Sequence, residues 1–279
     1  MEIKIAKKAG FCFGVKRAID MTFKLAGEDN RGLCTYGPLI HNPQVVDELK
    51  HRGVETVDDL SSPDIRTIII RTHGVSPQVY AETSKMGYNV IDATCPFVKK
   101  AQNFAQKLSE EGYQVLIIGD RQHPEVQGLI GFAAGDAVVI NAEDPMPALK
   151  PRVGIIVQTT QSFDTFRKVV LQVIEKAKEV KIYNTICDFT ARRVIETKSL
   201  AKKVDLMVIV GGKNSANTNQ LVKLSTEVCA KVYHIETSKE LRKSWFKGVD
   251  KVGITGGAST PQWIIDDVVS KIREISVRR

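Results

Sequence analysis

Short runs of β-branched and aliphatic residues alternate along the chain with longer stretches in which apolar positions recur every three to four residues. The runs at 2–6, 67–70, 115–118, 153–157, 205–210 and 251–255 predict strands. The amphipathic stretches at 15–26, 79–86, 97–111, 163–179, 217–230 and 262–275 predict helices. Strand and helix in regular alternation predict α/β units on mostly parallel sheets. A weak internal repeat runs through them. Cys12, Cys95 and Cys187 each follow a strand run (2–6, near 89–91, near 181–183) and precede a helical one, with separations of 83 and 92 residues. That spacing predicts three similar small lobes: residues 1–95, 96–186 and 187–279. Lobes of that size have thin cores and are expected to pack on one another.

The three cysteines bring chemistry into the picture. A thiol just before a helix faces unpaired amides and partial positive charge, which favour the thiolate that binds metals. Pro96 after Cys95 suits a first helical position. Gly10 and Gly14 flank the Phe11-Cys12-Phe13 segment and let the backbone pass close to a bulky inorganic group. No Cys-x-x-Cys pair occurs, which excludes a zinc ribbon and the simple ferredoxin pattern. Three thiolates from three lobes suit a cubane cluster with one iron left open as Lewis acid and electron source. On spacing alone, three buried core cysteines remain the commoner explanation. Cys34, in a strand run, and Cys229, on the predicted helix 217–230, are read as core.

A second pattern uses the same strand–loop–helix geometry. His41, His73 and His123 each sit in a loop that meets a proline (Pro43, Pro77, Pro124) as a helix begins. Toward the C-terminus the loops are GGKNSAN (211–217), with Ser215 and Asn217, and GGASTP (256–261), with Ser259. Small polar loops at helix N-termini bind anions, and five of them together could enclose a diphosphate. Taken alone, a Ser or Asn in such a loop is more often a plain helix cap, and a lone His more often a satisfied loop residue. Glu125, in a first helical turn, reads either as a carboxylate favouring the helix dipole or as a proton donor oriented by Gln158, Thr159 and Thr160. The glycine-rich segments match neither a dinucleotide fingerprint nor a Walker loop, which disfavours nicotinamide and nucleoside triphosphates.

Composition narrows the partners. Of 279 residues, 43 % are hydrophobic and 26 % charged, ordinary for a globular protein with a real core. The net charge of +8 reads first as a solvated basic surface; the sharper reading is an anionic partner, a phosphorylated metabolite, an acidic protein or nucleic acid, among which charge alone does not choose. There is no helix-turn-helix signature, aromatic stacking motif or concentrated basic stretch, so nucleic acid is the weakest of the three. Five cysteines, odd in number and scattered, do not form a disulfide framework. The opening MEIKIAKKAGFCFG has no apolar stretch of signal-peptide length, and no apolar run is long enough to span a bilayer. The expectation is a cytoplasmic protein with no membrane association.

Taken together, AGFCFGV (9–15), GPLIHNP (37–43), ATCP (93–96), HPEV (123–126), QTT (158–160), Ile186-Cys187, KNS (213–215) with Asn217, and GAS (257–259) resemble the IspH or LytB family, 4-hydroxy-3-methylbut-2-enyl diphosphate reductases. Eight stretches in order, from residue 9 to residue 259, cover nearly the whole chain and displace the core-cysteine explanation. The resemblance implies a three-lobed α/β fold in pseudo-threefold arrangement around a central [4Fe–4S] cluster held by Cys12, Cys95 and Cys187, with one open iron. It implies diphosphate contacts from His41, His73, His123, Ser215, Asn217 and Ser259. Glu125 becomes the proton-relay acid, with Thr159 beside it and in the substrate site. The implied reaction is reductive dehydroxylation of the hydroxylated allylic diphosphate to isopentenyl and dimethylallyl diphosphate, the last step of the non-mevalonate pathway. The implied partners are ferredoxin or flavodoxin as electron donor, acting on a monomer. A non-catalytic iron–sulfur sensor that binds nucleic acid is the rival reading. Two departures stand out. Ala216 occupies the place of a second serine, and after Cys187 the family's Ala-Thr and Arg-Gln become DFTARRV (188–194), with Thr190 and Arg193 at matching places.

Overall fold

The computed structural model describes residues 1–28, 31–62, 64–134 and 137–277. In chain order, β1 (Glu2–Ile5) leads into α1 (Phe13–Glu28). Then come β2 (Leu33–Tyr36), α2 (Pro43–His51), β3 (Glu55–Val57), β4 (Thr67–Ile70), α3 (Pro77–Lys85) and β5 (Asn89–Asp92). Next are α4 (Pro96–Glu110), β6 (Gln114–Ile118), α5 (Pro124–Phe132), β7 (Ala137–Ile140), β8 (Arg152–Val157), α6 (Phe163–Ile174) and β9 (Glu179–Ile182). The last are α7 (Asp188–Ala201), β10 (Leu206–Val210), α8 (Ala216–Thr226), β11 (Lys231–Ile235), β12 (Lys251–Gly256) and α9 (Gln262–Val277).

The strands form three four-stranded sheets, ordered β3-β2-β4-β5, β7-β6-β8-β9 and β11-β10-β12-β1. Every strand pair within them is parallel. The connectivity repeats three times: a central strand, an edge strand, the second central strand, then the far edge. In the third sheet the far edge is β1, paired with β12. The chain divides into two compact units. One comprises Met1–Lys16, Ile40–Asp47 and Asp188–Arg279; the other comprises Arg17–Leu39 and Glu48–Cys187.

Central strands are apolar throughout because both faces are covered, as parallel sheets require. All five residues of β6 are buried. Val115 and Ile117 pack with α4 and α5 residues such as Ala105 and Leu129, whereas Leu116 and Ile118 pack with Phe166 and Val169 of α6. β10 repeats the alternation, with Val208 and Val210 meeting α9 and Met207 and Ile209 meeting Leu221 of α8. Each such side chain contributes about 2 kcal/mol by leaving water.

Two predicted helices end earlier than their periodicity suggests. The stretch 163–179 closes at Ile174, because the amides of Lys176 and Ala177 turn back onto the Val173 carbonyl. Glu179 is then free to open β9 against β8. The stretch 217–230 closes at Thr226, with the Val228 and Cys229 amides on the Ser225 carbonyl. Cys229 therefore lies beyond the helix, not on it, although it is buried as expected of a core residue. The edge strands β3, β7 and β11 were not predicted. They are only three to five residues long and mostly half-exposed, and a run so short, even the wholly apolar AVVI of β7, shows no periodicity that marks it as a strand.

Arg193 of α7 is buried, and its guanidinium donates to the carbonyls of Gly256 (2.6 Å) and Gly10 (2.8 Å). It thereby ties the helix to the end of β12 and to the loop carrying Cys12. Arg193→Met removes two charge-assisted bonds and is expected to lower unfolding free energy by about 3 kcal/mol, read from urea denaturation.

Candidate active site

All candidate side chains follow the C-terminal ends of strands, where parallel α/β sheets present their loops. They recur in register. His41, His123 and Ser215 stand five residues beyond Tyr36, Ile118 and Val210, the last residues of β2, β6 and β10. His73, Thr160 and Ser259 stand three residues beyond Ile70, Val157 and Gly256, which end β4, β8 and β12. Glu125 and Asn217 share a third place, seven residues beyond Ile118 and Val210.

The cysteines are fixed by one repeated hydrogen bond. The Cys95 amide donates to the Thr72 carbonyl (3.0 Å), that of Cys187 to Thr159 (2.9 Å) and that of Cys12 to Ala258 (3.1 Å). Each acceptor lies two residues past its strand. All three thiols are partly exposed at or beside the first turn of a helix, whereas Cys34 and Cys229 are buried. Burial, then the charges of Glu55 and Asp64, push the Cys34 thiol up and keep it protonated. The Cys229 sulfur faces the Val204 and Lys231 carbonyls. The donor set therefore separates three thiols suited to a soft metal centre from two that are packing residues.

In the unit containing β2 to β9, Glu125 is the dominant titratable feature. It is 2 % exposed, accepting from the Thr159 amide (2.6 Å) and hydroxyl (2.8 Å). Burial raises its pKa from the ordinary 4.5 to about 7, and the two Thr159 bonds only partly oppose that. Because the Thr159 carbonyl takes the Cys187 amide, acid, threonine and cysteine form one bonded series. His123 caps α5: its Nδ1 accepts from the Glu125 amide at 3.2 Å. Nδ1 must then be unprotonated, so a neutral ring carries its proton on Nε2 and can donate there. The His73 ring meets His123 edge to face, with centroids 5.4 Å apart. Gln158 is buried and joins two loops, accepting from the Asp120 amide and donating to Thr160 Oγ1, both at 3.0 Å.

Around Cys95 the structure adds residues that sequence reasoning did not single out. Thr72 donates through its amide and hydroxyl to the Leu39 carbonyl. Asp92 accepts from the Thr94 amide (3.0 Å) and Tyr80 hydroxyl (3.0 Å) and pairs with Lys99 at 2.5 Å. Arg17 donates to the Thr94 carbonyl at 3.3 Å. These residues are scattered from 17 to 99, and no local pattern joins them.

In the other unit, Asn217 Oδ1 accepts from the Ala258 amide (2.9 Å), bracing the residue whose carbonyl holds Cys12. Its Nδ2 is buried with no hydrogen-bond partner among the described residues. Ser259 Oγ donates to the His41 carbonyl at 3.1 Å. A Cβ at Gly212 would lie 2.7 Å from that same oxygen, so the glycine permits the close approach. Ser215 caps α8, accepting from the Thr218 amide at 3.3 Å, and its own hydroxyl hydrogen remains available to donate. Ala216 is the first residue of α8.

The matching family model is described as LytB protein and spans residues 3–273. Two similar curated relatives carry the name 4-hydroxy-3-methylbut-2-enyl diphosphate reductase. That of Trichlorobacter lovleyi is 49 % identical over 278 residues, covering 99 % of both chains. That of Geobacter metallireducens is 49 % identical over 278 residues, covering 99 % of this chain and 98 % of its own. A solved (E)-4-hydroxy-3-methyl-but-2-enyl diphosphate reductase, described as the terminal enzyme of the non-mevalonate pathway, is 43 % identical with a TM-score of 0.73, covering 98 % of this chain and 100 % of its own. The Plasmodium falciparum reductase is 27 % identical with a TM-score of 0.89, covering 96 % of this chain and 87 % of its own. The chain therefore belongs to the LytB protein family.

Proposed function

We propose that this protein removes the hydroxyl group of (E)-4-hydroxy-3-methylbut-2-enyl diphosphate reductively, giving isopentenyl and dimethylallyl diphosphate as the terminal enzyme of the non-mevalonate pathway. The observation that carries the reading is Glu125: a buried carboxyl with a pKa near 7, bonded through Thr159 to the backbone of a candidate ligand cysteine. Family membership over nearly the full chain supports the substrate.

Cys12, Cys95 and Cys187 would hold one [4Fe–4S] cluster. Such a cluster supplies electrons and, at an iron without a cysteine, a Lewis acid. The reaction takes up two electrons and two protons and releases water. The rest falls to side chains. Burial makes the Glu125 anion costly, so a large fraction of the acid stays protonated near neutral pH and can pass its proton to the departing oxygen. Thr159 fixes both carboxylate oxygens and so sets the acid's direction. The diphosphate is bound by donors and not by a fixed cation: His123 through Nε2, Asn217 through Nδ2, the Ser215 and Ser259 hydroxyls, and the His41 and His73 rings. Neutral donors at helix N-termini hold an anion while helix dipoles supply the positive field. Ala216 supplies no hydroxyl, and Ser215 and Asn217 do that work on either side of it. Electrons come from ferredoxin or flavodoxin, and the chain acts as a monomer. Among the described residues, no helix is long and apolar enough to cross a membrane.

Glu125→Gln is expected to lower turnover by about 100-fold or more with little change in KM, as loss of a general acid does. In the unsubstituted protein, turnover should fall as pH rises through about 7, where Glu125 loses its proton. Stability carries the same sign. Between pH 4.5 and about 7 the native state keeps a proton that the unfolded chain has released, so unfolding free energy declines as pH rises through that range. The Gln variant should flatten that slope in urea titrations at several pH values, and a slope left intact would remove Glu125 as its source.

Cys95→Ser is expected to lose iron and the cluster's visible absorption after anaerobic reconstitution, while Cys34→Ser retains both. Equal iron content in the two variants, assayed with chelator and by spectrum, would sink the ligand assignment.

A further inference from the structure

A basic groove of about 500 Å³ lies directly beside Cys95. Both covalent neighbours of that cysteine, Thr94 and Pro96, line it, together with Arg17, Lys99, Lys100 and Asp92. Three cations thus face one carboxylate, and that carboxylate is already engaged by Lys99, Tyr80 and the Thr94 amide. Pro96 and Lys100 are exposed. The wall of the groove is held firmly: Asp92 fixes the Thr94 amide and Arg17 the Thr94 carbonyl. None of these cations is needed by the diphosphate donors named above.

We propose that this groove docks a small electron-carrier protein with an acidic surface. The inference rests on the reductase reading, which requires a reductant and leaves its landing place open. Electron-transfer encounters are small, weak and steered by charge, so a compact positive patch suits them better than a large apolar face. A carrier seated here lies one residue from a cluster ligand. A second groove, about 680 Å³ and lined by Lys4, Lys7, Arg192 and Lys203, is also basic. Its lining cations nearest in sequence to a candidate ligand cysteine, Lys7 and Arg192, each stand five residues away, from Cys12 and Cys187. The groove beside Cys95 offers the shorter path.

The test titrates the reconstituted enzyme by calorimetry with an oxidised acidic [2Fe–2S] ferredoxin, and separately with flavodoxin, at low and high salt. Binding should weaken as ionic strength rises. Lys100→Glu should raise Kd about tenfold, whereas Lys203→Glu should leave it within about twofold. No binding by either carrier, salt-independent binding, an unchanged Kd for Lys100→Glu, or a larger loss for Lys203→Glu would each overturn the docking site. Reduction of the hydroxylated diphosphate driven by reduced methyl viologen is assayed alongside on the unsubstituted enzyme. Its absence strikes the reductase reading itself, so the two failures are distinguishable.

Discussion

The amide of each candidate ligand cysteine is bonded to a carbonyl two residues beyond the neighbouring central strand, and the site depends on that repeated clip. A parallel strand ends with unpaired backbone groups at its C-terminal edge. Here the pairing is carried two residues further, to Thr72, Thr159 and Ala258, before the chain turns into a helix. The thiol is thereby delivered at a helix start with its backbone already satisfied. The strands that carry the accepting carbonyls, β4, β8 and β12, are buried along nearly their whole length, which fixes the clip, whereas the edge strands that lead into the cysteines are half-exposed.

The same backbone amide donors and carbonyl acceptors divide the labour within each unit. Thr159 clips Cys187 through its carbonyl and orients Glu125 through its amide and hydroxyl. Ala258 clips Cys12 through its carbonyl and is braced through its amide by Asn217. At one register position a carboxyl is buried beside a hydroxyl; at the equivalent position a carboxamide reaches the strand extension. A carboxyl there is driven toward its neutral form by burial, and becomes an acid. A carboxamide cannot ionise, and becomes a brace with a spare donor. One backbone plan therefore supports two chemistries through a single choice of side chain.

Charge is distributed with equal economy. The serine and asparagine side chains proposed as diphosphate donors carry no charge, while Arg17, Lys99 and Lys100 gather in a separate groove around Thr94 and Pro96. A fixed cation beside Glu125 would pull its pKa down and strip its proton at neutral pH. Keeping cations away from the acid and on an outer wall satisfies both requirements.

The sequence alone determined the alternation of strand and helix and the central strands, and it marked out the candidate site residues. Buried parallel strands must be apolar without interruption, and helix starts must carry caps, prolines or small residues, so both are written locally. Cys12, Cys95 and Cys187 stood out by their place before helices, and Cys34 and Cys229 by its absence. Only the tertiary structure decided that β1 completes the sheet of β10 to β12, that two helices stop early against returning amides, and that half-exposed edge strands exist. It also decided the shift of Glu125, since the sequence offers a first-turn acid but not its burial. Likewise the Tyr80, Asp92 and Lys99 contacts join residues distant along the chain. Pairing partners and local dielectric depend on what surrounds a residue in space, and neighbours in sequence do not specify that.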